Sequence, residues 1–460
     1  MGTNGRYIVD WYSSAKDQVN QRLRALISEL AYPDPDSTPS AALMRAVAEQ
    51  AHSSDEGGKR LRALGLLAFA ALNPRSNPRD NSDATSSPAA TPTSEPLDPF
   101  ALDLACALEL FQTGALVHDD IMDESVLRRG EDSAWVALAQ QYSHYSELFH
   151  TSVDQHSQVV GGRGMAIMLG DLFATISLIA ANNACSQAQV ETAVHPRIEP
   201  QAHAQTHAEL QAHAQTHVEP QAHAESQAQT AAQLASAVMT AMLTMQREVE
   251  IGQVLDQANS ITPLDNPEEI VANCWSVYER KTASYTSIIP FTLGLLCAGL
   301  DENFARLSGF EIGRPVGIGF QIHDDLMDVV PSNPPTGKPL GGDIREGKRT
   351  ILLADALILA DPDDRHTLIN LYSKSARTNE DVAQVMAIFQ RSGAIERSWQ
   401  RLKELKHSSD EALDKLEHAL HAQASDQDEP QAQHQPQASP ISEQAWERVR
   451  SICARMLGVK

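Results

Sequence analysis

Two stretches of the chain space their aspartates in a way that suits metal chemistry. LVHDDIMDESVLRRG carries Asp119, Asp120 and Asp123, and QIHDDLMDVV carries Asp324, Asp325 and Asp328. Residues four apart on a helix face the same way one turn apart, so each stretch would present a pair of carboxylates. Both clusters end apolar helical stretches, where the helix dipole already disfavours negative charge, so a bound cation is expected. An all-oxygen carboxylate set suits Mg²⁺, which keeps several waters and completes its octahedron with phosphate oxygens. A single acidic helix end is often only solvated surface. Two copies with the same apolar lead-in suggest more: two helices facing each other across a bundle, caging several Mg²⁺ ions and one diphosphate.

A phosphorylated ligand needs positive partners, because the chain as a whole has a net charge of −24 and would repel an anion at long range. Candidates occur in four places. EGGKRLRALG offers Gly57, Gly58, Lys59, Arg60 and Arg62, with glycines that let a phosphate approach the backbone. Arg128 and Arg129 follow the first acidic cluster directly. RKTASYT supplies Lys281 and Thr282, and TGKPLGGDIREGKRT supplies Lys338 and Lys348.

The acidic balance argues against a general nucleic-acid binder, whose footprint would be basic. Five cysteines, odd in number and without metal-ligand spacing, read as reduced packing residues. The N-terminal stretch lacks a signal-peptide pattern, and the apolar runs are short for a membrane span or broken by Asp171. The expected setting is cytoplasmic, with no transmembrane segment.

The elements that must position these residues are helices. A hydrophobic fraction of 42% and a charged fraction of 21% are ordinary for a globular chain, and Leu and Ala dominate over β-branched clusters. Apolar residues recur at steps of three and four in ALDLACALELFQTGALVHDDIMD, SAVMTAMLTMQREVEIGQVLD, VYERKTASYTSIIPFTLGLLCAGL and VGIGFQIHDDLMDVV. The expectation is all-α: one large helical bundle in a single domain, 1–460, with inserted loops. Three low-complexity inserts, at about 73–98, 186–230 and 421–440, are expected to be disordered. The second is a Gln/Ala/His repeat whose histidines, among them His203, His207, His213 and His217, could take a transition metal at helical spacing.

In combination these residues resemble the trans-prenyl diphosphate synthases, which join isopentenyl diphosphate to an allylic diphosphate. GGKRLR, HDDIMD with RRG, GDLFA, GQVLD, KTASYT, FQIHDDLMD and TGKPLGGDIREGKRT stand in that family's order and span nearly the whole chain outside the inserts. The resemblance implies the isoprenoid synthase bundle, a homodimer, and about three Mg²⁺ ions per site. It implies Asp119, Asp123 and Asp324 as direct Mg²⁺ ligands, with Asp120, Asp325 and Asp328 supporting the metal through water or hydrogen bonds. It assigns Gly58, Lys59, Arg62 and Arg129 to isopentenyl diphosphate, and Arg128, Lys281, Lys338 and Lys348 to the allylic diphosphate. Thr282 and Gln321 would lie beside the allylic carbon chain, their oxygens facing a developing cation. Asp119, Asp123, Asp324, Lys281 and Arg128 are the residues on which ionisation of the allylic C–O bond would depend.

Three positions depart from the family pattern. Gln112 stands where a His commonly contacts isopentenyl diphosphate, and an amide can donate a hydrogen bond but cannot be cationic. EDSAW replaces the usual Pro-Thr-x-x-His after RRG, which puts the closing loop in question, and Ala63 replaces a Pro.

Product length is read from the helix that carries the first cluster. Gly114 and Ala115 are expected one turn below Asp119, where a growing hydrocarbon would descend, and both are small. Phe111, about 12 Å below Asp119 at about 1.5 Å per residue, would form the next floor, so geranylgeranyl diphosphate is the expected product. If Phe111 only packs against another helix, a longer polyprenyl chain follows. A class I terpene cyclase is disfavoured, because its second metal motif reads Asn/Ser/Glu. A non-catalytic synthase subunit is disfavoured because both acidic motifs are intact.

Overall fold

The computed structural model describes residues 3–31, 41–72, 96–147, 150–194, 218–331, 340–426 and 441–458. The chain opens with α1 (Thr3–Ala31), α2 (Ala41–Asp55), α3 (Leu61–Ala70) and α4 (Pro99–Met122), then α5 (Ala134–Glu147), α6 (Gln155–Val194) and α7 (Val218–Asn259). After α8 (Pro267–Val277) the chain continues without a break into a π-helix, Tyr278–Ile288, and α9 (Ile289–Cys297). The remainder is α10 (Glu302–Val329), α11 (Gly342–Glu346), α12 (Ile351–Leu359), α13 (Pro362–Tyr372), α14 (Asn379–Ser392), α15 (Ala394–Asp426) and α16 (Glu443–Leu457). Among the described residues the only strands are β1 (Leu127–Arg128) and β2 (Glu131–Asp132), a two-residue antiparallel pair. The fold is all-α, as expected, apart from that hairpin.

Local chemistry sets the helix starts. Asp98 caps α4 by accepting from the Ala101 amide at 2.8 Å, with Pro99 in the first turn, and Thr350 caps α12 through the Leu353 amide. Two apolar cores result. One joins α1, α3, α4, α6, α7, α9 and α16, and the other gathers α8 and α12 to α15. Helix α10 belongs to both, with Ile312 and Val316 in the first and Ile318, Ile322 and Leu326 in the second. It therefore holds its C-terminal aspartates rigidly between the two.

Small residues bring the site helices together. A Cβ at Gly313 or Gly317 of α10 would stand 2.6 Å from Ile288 Cα or 2.4 Å from Ala283 Cα, and one at Gly252 of α7 would stand 2.4 Å from the Lys281 nitrogen. These glycines let α10 and α7 press directly on the backbone of the π-helix.

The inserts are shorter than expected at their described ends. Residues 186–194 are the last turns of α6, 218–230 are the first turns of α7, and 421–426 end α15. Ala and Gln are good helix formers, so these repeats extend the helices they adjoin. The centres of all three inserts, with His203, His207, His213 and His217, lie outside the described residues, as does Lys338. Two described helices, α4 and α6, are long and apolar enough to cross a membrane by length and composition. The most apolar stretch is 72% buried within the protein in α4 and 44% in α6.

Candidate active site

The two acidic motifs meet. Asp119 and Asp123 from the end of α4, and Asp324, Asp325 and Asp328 from the end of α10, line one cavity of about 500 Å³ with Arg62, Gln112, Arg128, Lys281, Thr282, Gln321 and Lys348. The cation-bearing residues interleave with the acids. Lys281 Nζ lies 2.7 Å from Asp256 Oδ2 of α7 and 3.5 Å from Asp119 Oδ1. Lys348 Nζ lies 3.0 Å from Asp123 Oδ2, 2.8 Å from Glu346 Oε2 and 3.8 Å from Asp343 Oδ1. Each lysine therefore ties the α4 aspartates to another wall of the cavity.

Burial and like charge raise several of these acids. Asp119 is pushed above its ordinary value by burial, against the pull of Lys281, with Asp123 adding repulsion. Asp343 is pushed from 3.8 to about 7 by burial, with Lys348 opposing. Asp324 is exposed to the cavity and makes no hydrogen bond or ion pair with the described residues. The donors fit Mg²⁺. They are carboxylate oxygens, carboxylates outnumber cations around the cavity, and among the described residues no three acids close into a ready cage. An ion that binds through one or two carboxylates, keeping water and taking phosphate oxygens, matches that arrangement.

The six aspartates are not equivalent. Asp120 turns away from the cavity; its carboxylate accepts from Arg128 Nε at 3.0 Å and it lines a neighbouring depression with Arg129 and Gly57. Expected to support the metal through water or hydrogen bonds, it holds Arg128 instead. Asp328 accepts from the Gly342 and Asp343 amides, both at 3.0 Å, and so anchors the start of α11. Asp325 is buried, bound on one oxygen by the Tyr278 hydroxyl and on the other by Gln321 Nε2 at 2.9 Å. Gln321 Oε1 in turn accepts from Thr282 Oγ1 at 2.8 Å.

The GGKR loop also differs from its sequence reading. Arg60 is not an anion ligand. It is buried, with a left-handed backbone (φ 55°), and its guanidinium is held by Asp55 at 2.8 Å, Glu109 at 3.5 Å and Asn20 at 2.8 Å. Lys59 is exposed and lies outside the cavity lining, and Gly58 packs on the Arg60 guanidinium. Arg62 does reach the cavity. Its guanidinium lies 4.2 Å from the Tyr285 ring centre and donates to Thr286 Oγ1, while its buried Nε and the Gln112 Oε1 have no protein partner. Two of the three departures from the family pattern, Gln112 and EDSAW, are accommodated. Gln112 offers a free amide oxygen at the wall, and EDSAW forms β2 and the start of α5, where Trp135 Nε1 donates to the Ser125 carbonyl at 2.8 Å. Between the strands, Arg129 (φ 56°) and Gly130 (φ 91°) make a two-residue turn of the kind that hairpins favour. Arg129 closes it by donating to the Glu56 carbonyl.

The residues below Asp119 also need correction. Counting about 100° per residue, Gly114 sits about 140° around the helix from Asp119, whereas Gln112 is only about 20° away. Gly114 faces α6, where an added Cβ would stand 2.8 Å from the Gly170 carbonyl oxygen, and Ala115 is half-buried outside the cavity lining. Leu116 and Gln112 are the α4 residues that line the cavity below the acids, with Tyr285 and Phe320 opposite. Phe111 stands behind Tyr285, the rings edge to face with centres 6.1 Å apart.

Asp256, Asp343, Glu346, Tyr278 and Tyr285 complete the site and were not singled out from the sequence. The signal for the first three was present in GQVLD and GGDIREGK, both within the stretches that resemble the family's.

The family model for polyprenyl synthetase matches residues 44–389. The chain belongs to the polyprenyl synthetase family. Its activity is that of an isoprenyl diphosphate synthase, a trans-prenyltransferase. The synthase is 26% identical over 390 residues to a short chain isoprenyl diphosphate synthase of Methanothermobacter thermautotrophicus, spanning 85% of this chain and 86% of the relative. It is 25% identical over 317 residues to a nonaprenyl diphosphate synthase of Mycobacterium tuberculosis, spanning 68% of this chain and 64% of the relative. The crystal structure of geranylgeranyl pyrophosphate synthase from Corynebacterium glutamicum, complexed with isoprenyl diphosphate and magnesium, superposes with a TM-score of 0.64. Identity there is 23%, with 98% of this chain and 99% of that one covered. At that identity the likeness establishes the shared fold.

Proposed function

We propose that this synthase condenses isopentenyl diphosphate with an allylic diphosphate and releases geranylgeranyl diphosphate as its main product. The observation that carries the reading is the meeting of the α4 and α10 aspartates over one cavity that Lys281, Lys348, Arg62 and Arg128 also reach. Asp119, Asp123 and Asp324 would hold Mg²⁺, three ions per site, and the bound metal would neutralise charge on the departing diphosphate. Lys281, Lys348 and Arg128, with Lys338, grip the allylic diphosphate, and their charges favour heterolysis of the allylic C–O bond. Arg62 and Gln112 at the cavity wall, with Arg129 beside it, hold isopentenyl diphosphate nearby, so that attack by its double bond on the allylic carbon is effectively intramolecular. The released diphosphate takes the proton that restores the alkene.

The aromatic pair Phe111 and Tyr285 supports a C20 product, because it stands about two turns below Asp119, at about 1.5 Å per residue. The solved synthase of the same fold that bears the geranylgeranyl name supports it too. A longer polyprenyl product is the second reading, favoured by the nonaprenyl relative. Incubation with Mg²⁺, isopentenyl diphosphate and each allylic starter, followed by separation of products by chain length, tests both. A dominant C20 product is expected, and a dominant product of C30 or longer overturns the C20 reading. Replacing Phe111 by Ala should lengthen the product, and an unchanged distribution would remove Phe111 as the floor.

The synthase is further proposed to work as a cytoplasmic homodimer without a transmembrane segment. Exposed Val160, Ile167, Met168 and Ile179 on α6 support pairing of two copies. Sedimentation at micromolar concentration tests it, with a monomer as the opposing outcome.

A further inference from the structure

We infer that Tyr278 is a positioning residue for allylic ionisation, acting through Asp325 and Gln321 on the hydroxyl of Thr282. The inference rests on the reading above that Thr282 and Gln321 border the allylic carbon chain.

Tyr278 opens the π-helix with its ring buried, and its hydroxyl reaches the first turn of α12. There the Ile351 amide donates to the phenol oxygen at 3.2 Å. A backbone N–H can only donate, so the phenol oxygen is the acceptor in that bond and its own proton must go elsewhere. Asp325 Oδ2 receives it. With one oxygen so engaged, Asp325 presents Oδ1 to Gln321 Nε2 at 2.9 Å. That bond decides which way the Gln321 amide faces: nitrogen toward Asp325, oxygen toward Thr282.

Thr282 then has one choice. Gln321 Oε1 is an acceptor, so the Thr282 hydroxyl donates to it at 2.8 Å, and only its lone pairs remain for the cavity that Thr282 lines. Negative dipole ends face the place where positive charge develops on carbon. Each link has a fixed direction, and the direction originates at a helix N-terminus, whose amide has no helical acceptor. Take away the phenol proton and Asp325 loses one of its two donors, so its carboxylate is no longer fixed in place, the Gln321 amide it holds loses its set position, and the Thr282 hydroxyl can turn its proton toward the cation. Tyr278 touches no substrate atom in this arrangement. It acts by fixing the polarity of a dipole placed beside the reacting carbon, the kind of preorganised electrostatics on which such steps depend.

The test is a coupling experiment on the full-length chain, read as the rate of condensation whatever the product length. Tyr278→Phe keeps the ring and removes the proton. We expect kcat to fall about tenfold, with KM for isopentenyl diphosphate within about twofold of the parent. In a Thr282→Val background, where no hydroxyl is left to orient, Tyr278→Phe should lower kcat by less than about twofold more. In a Thr282→Ser background, which restores the hydroxyl, the roughly tenfold loss should return. Equal losses in the Val and Ser backgrounds overturn the inference, as does an unchanged kcat in Tyr278→Phe. So does loss of the cooperative thermal transition in Tyr278→Phe, which would make the phenol purely structural. Absence of condensation by the parent chain would instead count against the activity reading and leave these ratios undefined.

Discussion

The Lys348 ammonium stands 3.0 Å from the Asp123 carboxylate, 225 residues away in sequence, and also reaches Glu346 and Asp343. Burial lowers the proton affinity of Lys348, but these three acids more than restore it, so it stays charged at any working pH. In the proposed reaction a substrate diphosphate would take this cation from Asp123 and so free the carboxylate to hold metal. Lys348→Met should therefore reduce kcat/KM for the allylic diphosphate by about 100-fold. The thermal midpoint should move by no more than a few degrees, because the lysine is partly exposed. Steady-state kinetics with a thermal melt checks both.

Asp343 gives a pH dependence of known sign. Burial raises its pKa from 3.8 to about 7, so between those values the folded chain holds a proton that the unfolded chain has released. Stability from this group is therefore full below about pH 4, declines as pH rises, and is lost above about pH 7. Urea unfolding in EDTA from pH 5 to 8 should show that decline, and Asp343→Asn should flatten it.

Arg60 is a structural prediction. Its guanidinium sits between Asp55 and Glu109, all three buried. Arg60→Met would leave two carboxylates unpaired in the core, a loss of about 3 to 5 kcal/mol. Chemical denaturation measures it. If Arg60 instead served as a surface anion ligand, stability would change little and only substrate affinity would suffer.

Gly114 separates packing from chain length. An added methyl would press on the Gly170 carbonyl and Phe173, so Gly114→Ala should cost about 1 to 3 kcal/mol while the product distribution stays the same. A shortened product would show that the hydrocarbon runs along this face of α4 after all.

The thiols offer a simple check. Burial raises Cys185 to about 11 and pushes Cys106, Cys274, Cys297 and Cys453 higher than their ordinary value. The native chain should give no fast-reacting thiol with a disulfide reagent at pH 8, and five after denaturation.

What the sequence made legible was chemistry written in adjacent letters. The two aspartate clusters could be placed because they repeat a spacing that helices translate directly into a shared face, and Lys281, Arg62 and Lys348 because they stand in stretches that resemble the family's. Arg60 was misread because its letter matches Lys59 and Arg62, while its burial is decided by Asp55 and Glu109 on other helices. Gly114 and Ala115 were misplaced by counting depth along the helix and neglecting the angle around it. Tyr278 was invisible, since its role depends on an amide at Ile351 that only the packing of α12 brings near. The helical ends of the inserts were lost because low complexity hid the helix propensity of Ala and Gln.

The π-helix carries an evolutionary consequence. Its wider winding puts Tyr278, Thr282 and Thr286, four apart, on one side, toward Asp325, Gln321 and Arg62 in turn. Deleting a single codon within it would restore ordinary winding and swing every later side chain by roughly a quarter turn. The length of these eleven positions is therefore as much a part of the site as the residues that fill them.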